Sequence, residues 1–278
     1  MCARFTLSKE LSELGKLIDF VCRVAFFAPR YNIAPRQQAP VIVRENYLTV
    51  AKLMRWGLIP SWATEESIGD KLINTRAETL AEKSSFRKLF ASQRCLIPAD
   101  GYYEWRRDGQ ASSAEGRESE LGFDTSSGLR HSPHPVLSRR NHPLPSDGRG
   151  VSDRTPFRFT LKDGGLFCFA GLWDKWIRWP QAQEILIDDE GDVPQPSRVI
   201  ETFTIITTAP NEMAAAIHDQ MPVILAPEHY GWWLYEDGKD EALQSLLSPY
   251  PAEDMKCYRV SRLVNNARND SPDCIKPA

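Results

Sequence analysis

Short apolar runs alternate with polar punctuation over most of the 278 residues. Aromatic and β-branched residues gather at Pro40–Arg44, Tyr47–Leu53, Arg94–Ile97, Gly101–Trp105, Pro156–Leu161, Leu166–Leu172, Thr202–Thr207 and Val223–Leu225, and each run predicts a strand. Helical spacing is confined to Ser8–Val21, Ser84–Ser92, Asn211–Ala216, Pro227–Leu234 and Lys239–Leu246. In the first of these, Ser8 stands at the N-cap position, and Leu11, Leu14, Leu17, Ile18 and Val21 make one apolar stripe. Strands with interspersed helices and no regular βαβ alternation predict an α+β fold with largely antiparallel pairing.

The pattern fails between residues 106 and 154. Gly, Pro and Ser dominate there, apolar periodicity is absent, and three of the five histidines (His131, His134, His142) fall inside. This segment reads as a disordered insertion at the tip of a β-hairpin, interrupting one domain that spans residues 1–278. The His spacing is too irregular for a metal site. Residues 178–200 read as a second surface loop.

Composition narrows the class. Hydrophobic residues are 42% and charged residues 26%, which is globular. No apolar run reaches about 18 residues, and the N-terminus lacks the basic start and apolar stretch of a signal peptide. A cytosolic monomer without a membrane partner is expected. The net charge of −3 does not advertise a nucleic-acid partner, although a local basic groove can sit on an acidic body. The six cysteines include no CxxC pair and no His at zinc-ligand spacing, so neither metal nor cofactor is expected. Cys22, Cys95, Cys168 and Cys257 lie among apolar neighbours and read as buried packing.

Cys2 carries distinctive chemistry. Removal of Met1, which is usual before a small second residue, leaves an N-terminal cysteine. Its α-amine has a pKa of about 7.7–8.0 and its thiol one near 8.5. The amine condenses with an aldehyde to an imine, and the thiol then closes a five-membered thiazolidine. That closure is intramolecular, with effective molarities of about 10⁵ M or more for well-placed groups. An N-terminal cysteine is thus an aldehyde trap.

Dense polar-aromatic blocks follow: RYNIAPR at Arg30–Arg36, RWGLIPSW at Arg55–Trp62, NTRAET at Asn74–Thr79, RCLIPADGYYEW at Arg94–Trp105 and HDQMPVIL at His218–Leu225. With the MCARF start, this ordered set resembles the SOS-response-associated peptidase (SRAP) family. The resemblance covers almost the whole chain outside 106–154 and parts of 178–200. It implies a barrel-like β core with peripheral helices. It also implies recognition of abasic sites in single-stranded DNA, whose ring-opened sugar aldehyde is captured by Cys2 as a thiazolidine crosslink, with an accompanying lyase reaction.

The resemblance further implies roles. Cys2 is the nucleophile, Asn74 binds near the reacting end, Glu104 is the catalytic carboxylate, and His218 protonates the sugar oxygen or holds a phosphate. Each has a structural alternative: a turn brace for Asn74, an inward paired carboxylate for Glu104, a helix cap for His218. Glu104 lies between Tyr103 and Trp105, and burial there would raise its pKa. Arg76 alternates to the same side as Asn74 and suits a phosphate, unless it pairs with Glu78. Arg4, Arg36, Arg55 and Arg158 are further candidates for a basic groove. Trp56, Trp62, Tyr103 and Trp105 are candidates to stack on bases, Trp56 and Trp105 foremost, and Pro40 is a candidate wedge.

Two positions depart from the family pattern. Ala3 stands where Gly is usual, so a methyl could restrict the backbone beside Cys2. Gln220 stands where Arg is usual, which removes a phosphate contact. Two other functions compete with covalent capture: an N-terminal cysteine peptidase or hydrolase, and a non-catalytic binder of single-stranded DNA.

Overall fold

A computed structural model describes residues 2–80, 82, 84–107, 154–179, 196–236 and 241–278. The strands are β1 (Phe5–Leu7), β2 (Val21–Cys22), β3 (Arg30–Ile33), β4 (Gln38–Glu45), β5 (Leu48–Trp56), β6 (Asn74–Arg76) and β7 (Arg94–Ala99). They continue as β8 (Gly101–Arg107), β9 (Arg154–Leu161), β10 (Phe167–Arg178), β11 (Arg198–Thr208), β12 (Met221–Pro222), β13 (Ile224–Leu225) and β14 (Met255–Arg259). The α-helices are short: α1 (Ser84–Ser92), α2 (Glu212–Ala215), α3 (Tyr230–Tyr235) and α4 (Glu241–Ser245). The fold is α+β, as the strand and helix pattern predicts.

One sheet runs β14-β9-β8-β1-β3 and the other β12-β11-β10-β7-β4-β5-β2, with β13 on β10 and β6 on β11. Pairing is antiparallel except where β11 meets β5 and β6 and where β2 meets β5. The inner faces of both sheets enclose one barrel-like core. Phe5, Tyr102 and Phe159 from the first sheet meet Trp56, Phe169 and Phe203 from the second. Phe5 meets Trp56 edge-on at 5.1 Å, and Tyr102 stacks on Phe159 at 4.9 Å. Such pairs add about 0.5–1.5 kcal/mol each beyond simple area burial. No described helix is long and apolar enough to cross a membrane.

The helix expected over Ser8–Val21 is not formed. A 3-10 turn covers Leu11–Lys16, and Val21 enters β2. Ser8 does not cap a helix, because its N–H and hydroxyl both donate to Asp100, at 2.8 and 2.5 Å. Of the apolar stripe, Leu14 alone is fully buried, while Leu17 and Val21 are exposed. Without a covered face the helix has little tertiary support. Cys22 is exposed rather than packed, Cys257 is half-buried, and Cys95 and Cys168 are buried.

The hairpin arms are longer than the sequence suggests: Arg106, Arg107 and Arg154 are strand residues. The rest of the expected insertion, 108–153, lies outside the described residues. Likewise Arg178 ends β10 and Arg198 begins β11, while 180–195 lie outside the described residues.

β1 is held by a buried polar knot. Thr6 donates its hydroxyl to Asp100, Ser8 binds the other carboxylate oxygen, and Arg158 pairs with Asp100 at 3.1 Å. Both partners of this ion pair are buried. Gly101 makes room for it, because a Cβ there would lie 2.8 Å from the Arg158 guanidinium. Removing one partner of a buried pair typically costs about 3–5 kcal/mol. Asp100→Ala is therefore expected to destabilise the fold by roughly that amount, and Gly101→Ala to destabilise it by displacing Arg158. Denaturant unfolding measures both; a loss under about 1 kcal/mol for Asp100→Ala would show that the knot is dispensable.

Candidate functional site

Four elements converge where β1 begins. β1 pairs with β8 through Phe5–Tyr102 and Thr6–Gly101, and the Tyr103 N–H donates to the Arg4 carbonyl at 3.0 Å. This register sets Cys2 beside the outer half of β8. Glu104 is on the same face of β8 as core residue Tyr102, two positions on, because strand side chains alternate. Asn74 comes from β6, delivered by the 57–73 loop. Gly57, at φ 115°, packs back to back with Gly69; a Cβ on Gly57 would lie 2.6 Å from the Gly69 carbonyl oxygen. His218 follows α2, whose N-cap Asn211 accepts from the Ala214 N–H.

Distances join the four. Asn74 Nδ2 donates to the Cys2 carbonyl at 2.7 Å. Its Oδ1 is buried and has no hydrogen-bond partner among the described residues. His218 Nε2 is 4.0 Å from Glu104 Oε2. His218 Nδ1 lies 3.1 Å from both the Gln220 N–H, from which it accepts, and Asp219 Oδ1; the Gln220 contact favours the tautomer with its proton on Nε2, the nitrogen facing Glu104. The 4.0 Å gap suits a bridging oxygen of water or substrate better than a direct hydrogen bond.

Burial governs the protonation states. It pushes the Glu104 carboxyl up to about 7, against the pull of the positive amino terminus. It also pulls His218 down to about 4, helped by that same terminal charge. The Cys2 thiol is pushed up, first by burial and then by Glu104. Near neutral pH the site therefore holds a neutral imidazole, a thiol and a carboxyl close to its midpoint. A carboxyl at its midpoint can both give and take a proton.

The DNA-facing candidates divide. Arg76 is exposed at the end of β6. Arg36 is exposed and paired with Asp70, and Arg55 is paired with Glu66. Trp105 is half-buried, and its Nε1 donates to Asn265 at 2.7 Å. Trp56 is fully buried, flat against Phe203, with Nε1 on the Ile73 carbonyl, so it is core and cannot stack on a base. Trp62, six residues on, is 63% exposed. Arg158 is spent inside the knot on Asp100, Thr6 and Tyr258. Arg4 binds Asn32 and the Val264 carbonyl, tying β1 to the C-terminal segment instead of reaching outward. Tyr103 is buried, and Pro40 is buried within β4.

The two departures acquire local explanations. Ala3 is not among the residues with positive φ, so the backbone there does not require glycine. Gln220 is buried and turned inward, with Nε2 donating to Thr207 Oγ1 at 3.4 Å. Thr207 is a site neighbour the sequence reading missed; its only signal was alternation along β11. Arg154 was also missed, hidden inside the assumed insertion. It is exposed at the start of β9, and its charge helps hold His218 down. Among the described residues no group of three or more His, Cys, Asp or Glu side chains is placed to hold a metal.

Known proteins resemble the chain over most of its length. The sequence model of the family described as SOS response associated peptidase (SRAP) matches residues 1–117 and 147–267. Abasic site processing protein YoqW of Bacillus subtilis (strain 168) is 38% identical over 279 residues, covering 99% of each chain. Abasic site processing protein HMCES of Xenopus tropicalis is 28% identical over 262 residues, covering 90% of this chain and 66% of its own. A crystal structure of a Bacteroides thetaiotaomicron protein shares the fold, with a TM-score of 0.71 at 23% identity over the full length of both chains.

The two shifted groups give opposite pH dependences. Glu104 titrates near 4.5 when unfolded and near 7 when folded, so its contribution to stability is lost as pH rises between those values. His218, lowered from 6.5 to about 4, contributes stability that is lost as pH falls through that window. Between about 4.5 and 6.5 the two oppose each other. Glu104→Gln is expected to remove the first effect. The variant should gain roughly 1–3 kcal/mol over wild type at pH 8, and its stability should rise steadily from pH 4 to 6.5. Denaturant midpoints across pH 4–8 measure this, and a profile parallel to wild type would contradict the raised Glu104 pKa.

Proposed function

The chain belongs to the SOS response associated peptidase family, and on that premise we propose that it processes abasic sites by covalent capture on single-stranded DNA. The observation that carries the reading is the meeting of Cys2 with Asn74, Glu104 and His218. With Met1 removed, the Cys2 α-amine attacks C1 of the ring-opened sugar. Loss of water gives the imine. The Cys2 sulfur then adds to the imine carbon, and the thiol proton passes to the nitrogen, closing the thiazolidine.

Each neighbour has a part. Asn74 anchors the Cys2 carbonyl through Nδ2, and its open Oδ1 accepts from the α-amine or a sugar hydroxyl. Glu104, near its midpoint, takes the proton released on amine attack and returns it to the departing hydroxyl. Neutral His218 donates from Nε2 to a sugar oxygen lying in the gap toward Glu104. The imine also acidifies the proton on the adjacent sugar carbon, so strand cleavage by a lyase route is an accompanying activity. Arg76 holds a phosphate, and Trp62 and Trp105 stack on neighbouring bases. A cysteine peptidase is the weaker reading, because a peptidase needs a thiolate and this thiol is held protonated.

A denaturing gel with single-stranded DNA carrying one abasic site tests the proposal. Wild type is expected to give a heat-stable shifted band that intact DNA does not give, and Cys2→Ala to give none. Glu104→Gln should slow band formation by about 10²–10⁴, the usual contribution of a general acid–base group. Absence of the band with wild type, once mass spectrometry has shown Met1 to be removed, would refute covalent capture. Separately, Trp62→Ala is expected to weaken non-covalent binding of the strand by about 1–3 kcal/mol, whereas exposed Tyr47→Ala should not change it.

A further inference from the structure

The face of β8 that carries Glu104 continues across two more strands. Glu104 pairs with Phe157 of β9, and Phe157 pairs with Arg259 of β14. Directly opposed residues in antiparallel strands present their side chains on one face. Glu104, Phe157 and Arg259 therefore form a row, at about 4.8 Å per strand. Arg106, two residues beyond Glu104, shares that face, and its guanidinium lies 5.0 Å from the Phe157 ring centroid. Cys2 is on the opposite side of Glu104, toward β1.

This row is cationic and partly open. Phe157 and Arg106 are half-buried and Arg259 is exposed. Neither arginine has an ion-pair partner among the described residues. β14 is the last strand of its sheet; the C-terminal residues cover part of its backbone edge, the Ala278 N–H donating to the Arg259 carbonyl at 3.1 Å, while the Arg259 side chain stays exposed. The stretch 256–268 carries Lys256, Arg259, Arg262 and Arg268 and no carboxylate, within a chain of net charge −3. A flat aromatic ring flanked by two arginines beside a buried carboxylate matches the needs of a polyanion with stacking bases: cations for phosphates and a ring for a base. A peptide partner would not call for so local a positive excess.

We propose that Arg106, Phe157 and Arg259 form a platform for the DNA strand leaving the reacting nucleotide, Phe157 stacking on the adjacent base and the two arginines holding its flanking phosphates. The proposal rests on the function argued above and adds the path of the strand. It also gives the site cations that owe nothing to position 220, where Gln220 is turned inward.

Salt dependence separates the two levels. Binding of a single-stranded oligonucleotide with a chemically stable abasic analogue would be followed by anisotropy between 50 and 200 mM salt. Each phosphate contact adds about 0.7 to the slope of log K against log salt for single strands. Arg259→Gln and Arg106→Gln are each expected to lower the slope by about that amount. Lys276→Gln, an exposed lysine paired with Asp273, should leave it unchanged. Phe157→Trp should show emission quenched when the strand binds. Wild-type slopes in both arginine variants, with unaltered melting temperatures, would overturn the platform, as would an unquenched tryptophan at saturation. Arg259 is exposed on an edge strand, so its variant folds even if Phe157→Trp does not. A wild type that neither binds nor crosslinks abasic DNA would instead overturn the function on which the platform depends; a wild type that crosslinks, with unchanged slopes in the variants, would overturn the platform alone.

Discussion

The buried carboxylate of Asp100 is the constraint on which the rest of the site depends. It collects the Thr6 hydroxyl, the Ser8 N–H and hydroxyl, and the Arg158 guanidinium. Those contacts pin β1 between β3 and β8. An N-terminal strand would otherwise fray, since chain ends are ordered only when tied down. Here the tie lies four residues from Cys2, and the Tyr103 N–H on the Arg4 carbonyl extends it toward the end. Cys2 is thus held at the start of the chain by interactions made well inside it.

The same burial that rigidifies the site sets its protons. A carboxyl and an imidazole face each other at 4.0 Å without forming a resting ion pair, because desolvation favours the neutral form of both. A permanently charged pair would be self-satisfied. A neutral pair keeps a carboxyl near its midpoint, able to move a proton in either direction. In the proposed capture the thiol, also held neutral, acts second, adding to an imine carbon already made electrophilic by the amine.

Around this neutral centre the cations sort by depth. Arg158 and Arg4 are structural, while Arg76, Arg154 and Arg259 stay exposed. An overall negative chain thereby keeps exposed cations on β6, β9 and β14. Aromatic residues sort in the same way: Trp56 fills the core while Trp62, on the far side of the Gly57 turn, faces out. A type of residue in a motif does not by itself tell a contact from a strut.

Period and composition along the chain determined the longer strands β4, β5 and β7–β11, the α+β class and the α1 boundaries, because alternation and helical spacing report local burial directly; the short strands β1, β2, β3, β6 and β12 and the edge strand β14 were not legible, because their pairing is with distant segments. The covalent chemistry of an N-terminal cysteine was legible for the same reason: amine and thiol belong to one residue. The Ser8–Val21 stripe misled because helical spacing cannot reveal that Ser8 binds a carboxylate 92 positions away. Arg158 misled likewise, its partner Asp100 being 58 positions distant. Arg154 and Thr207 went unnoticed because their relevance lies in where β9 and β11 end. Only the tertiary structure decided which arginines and tryptophans face outward and which groups share the Cys2 environment. Those outcomes depend on pairing between distant segments, and burial and charge neutralisation are set by that pairing, which local sequence does not encode.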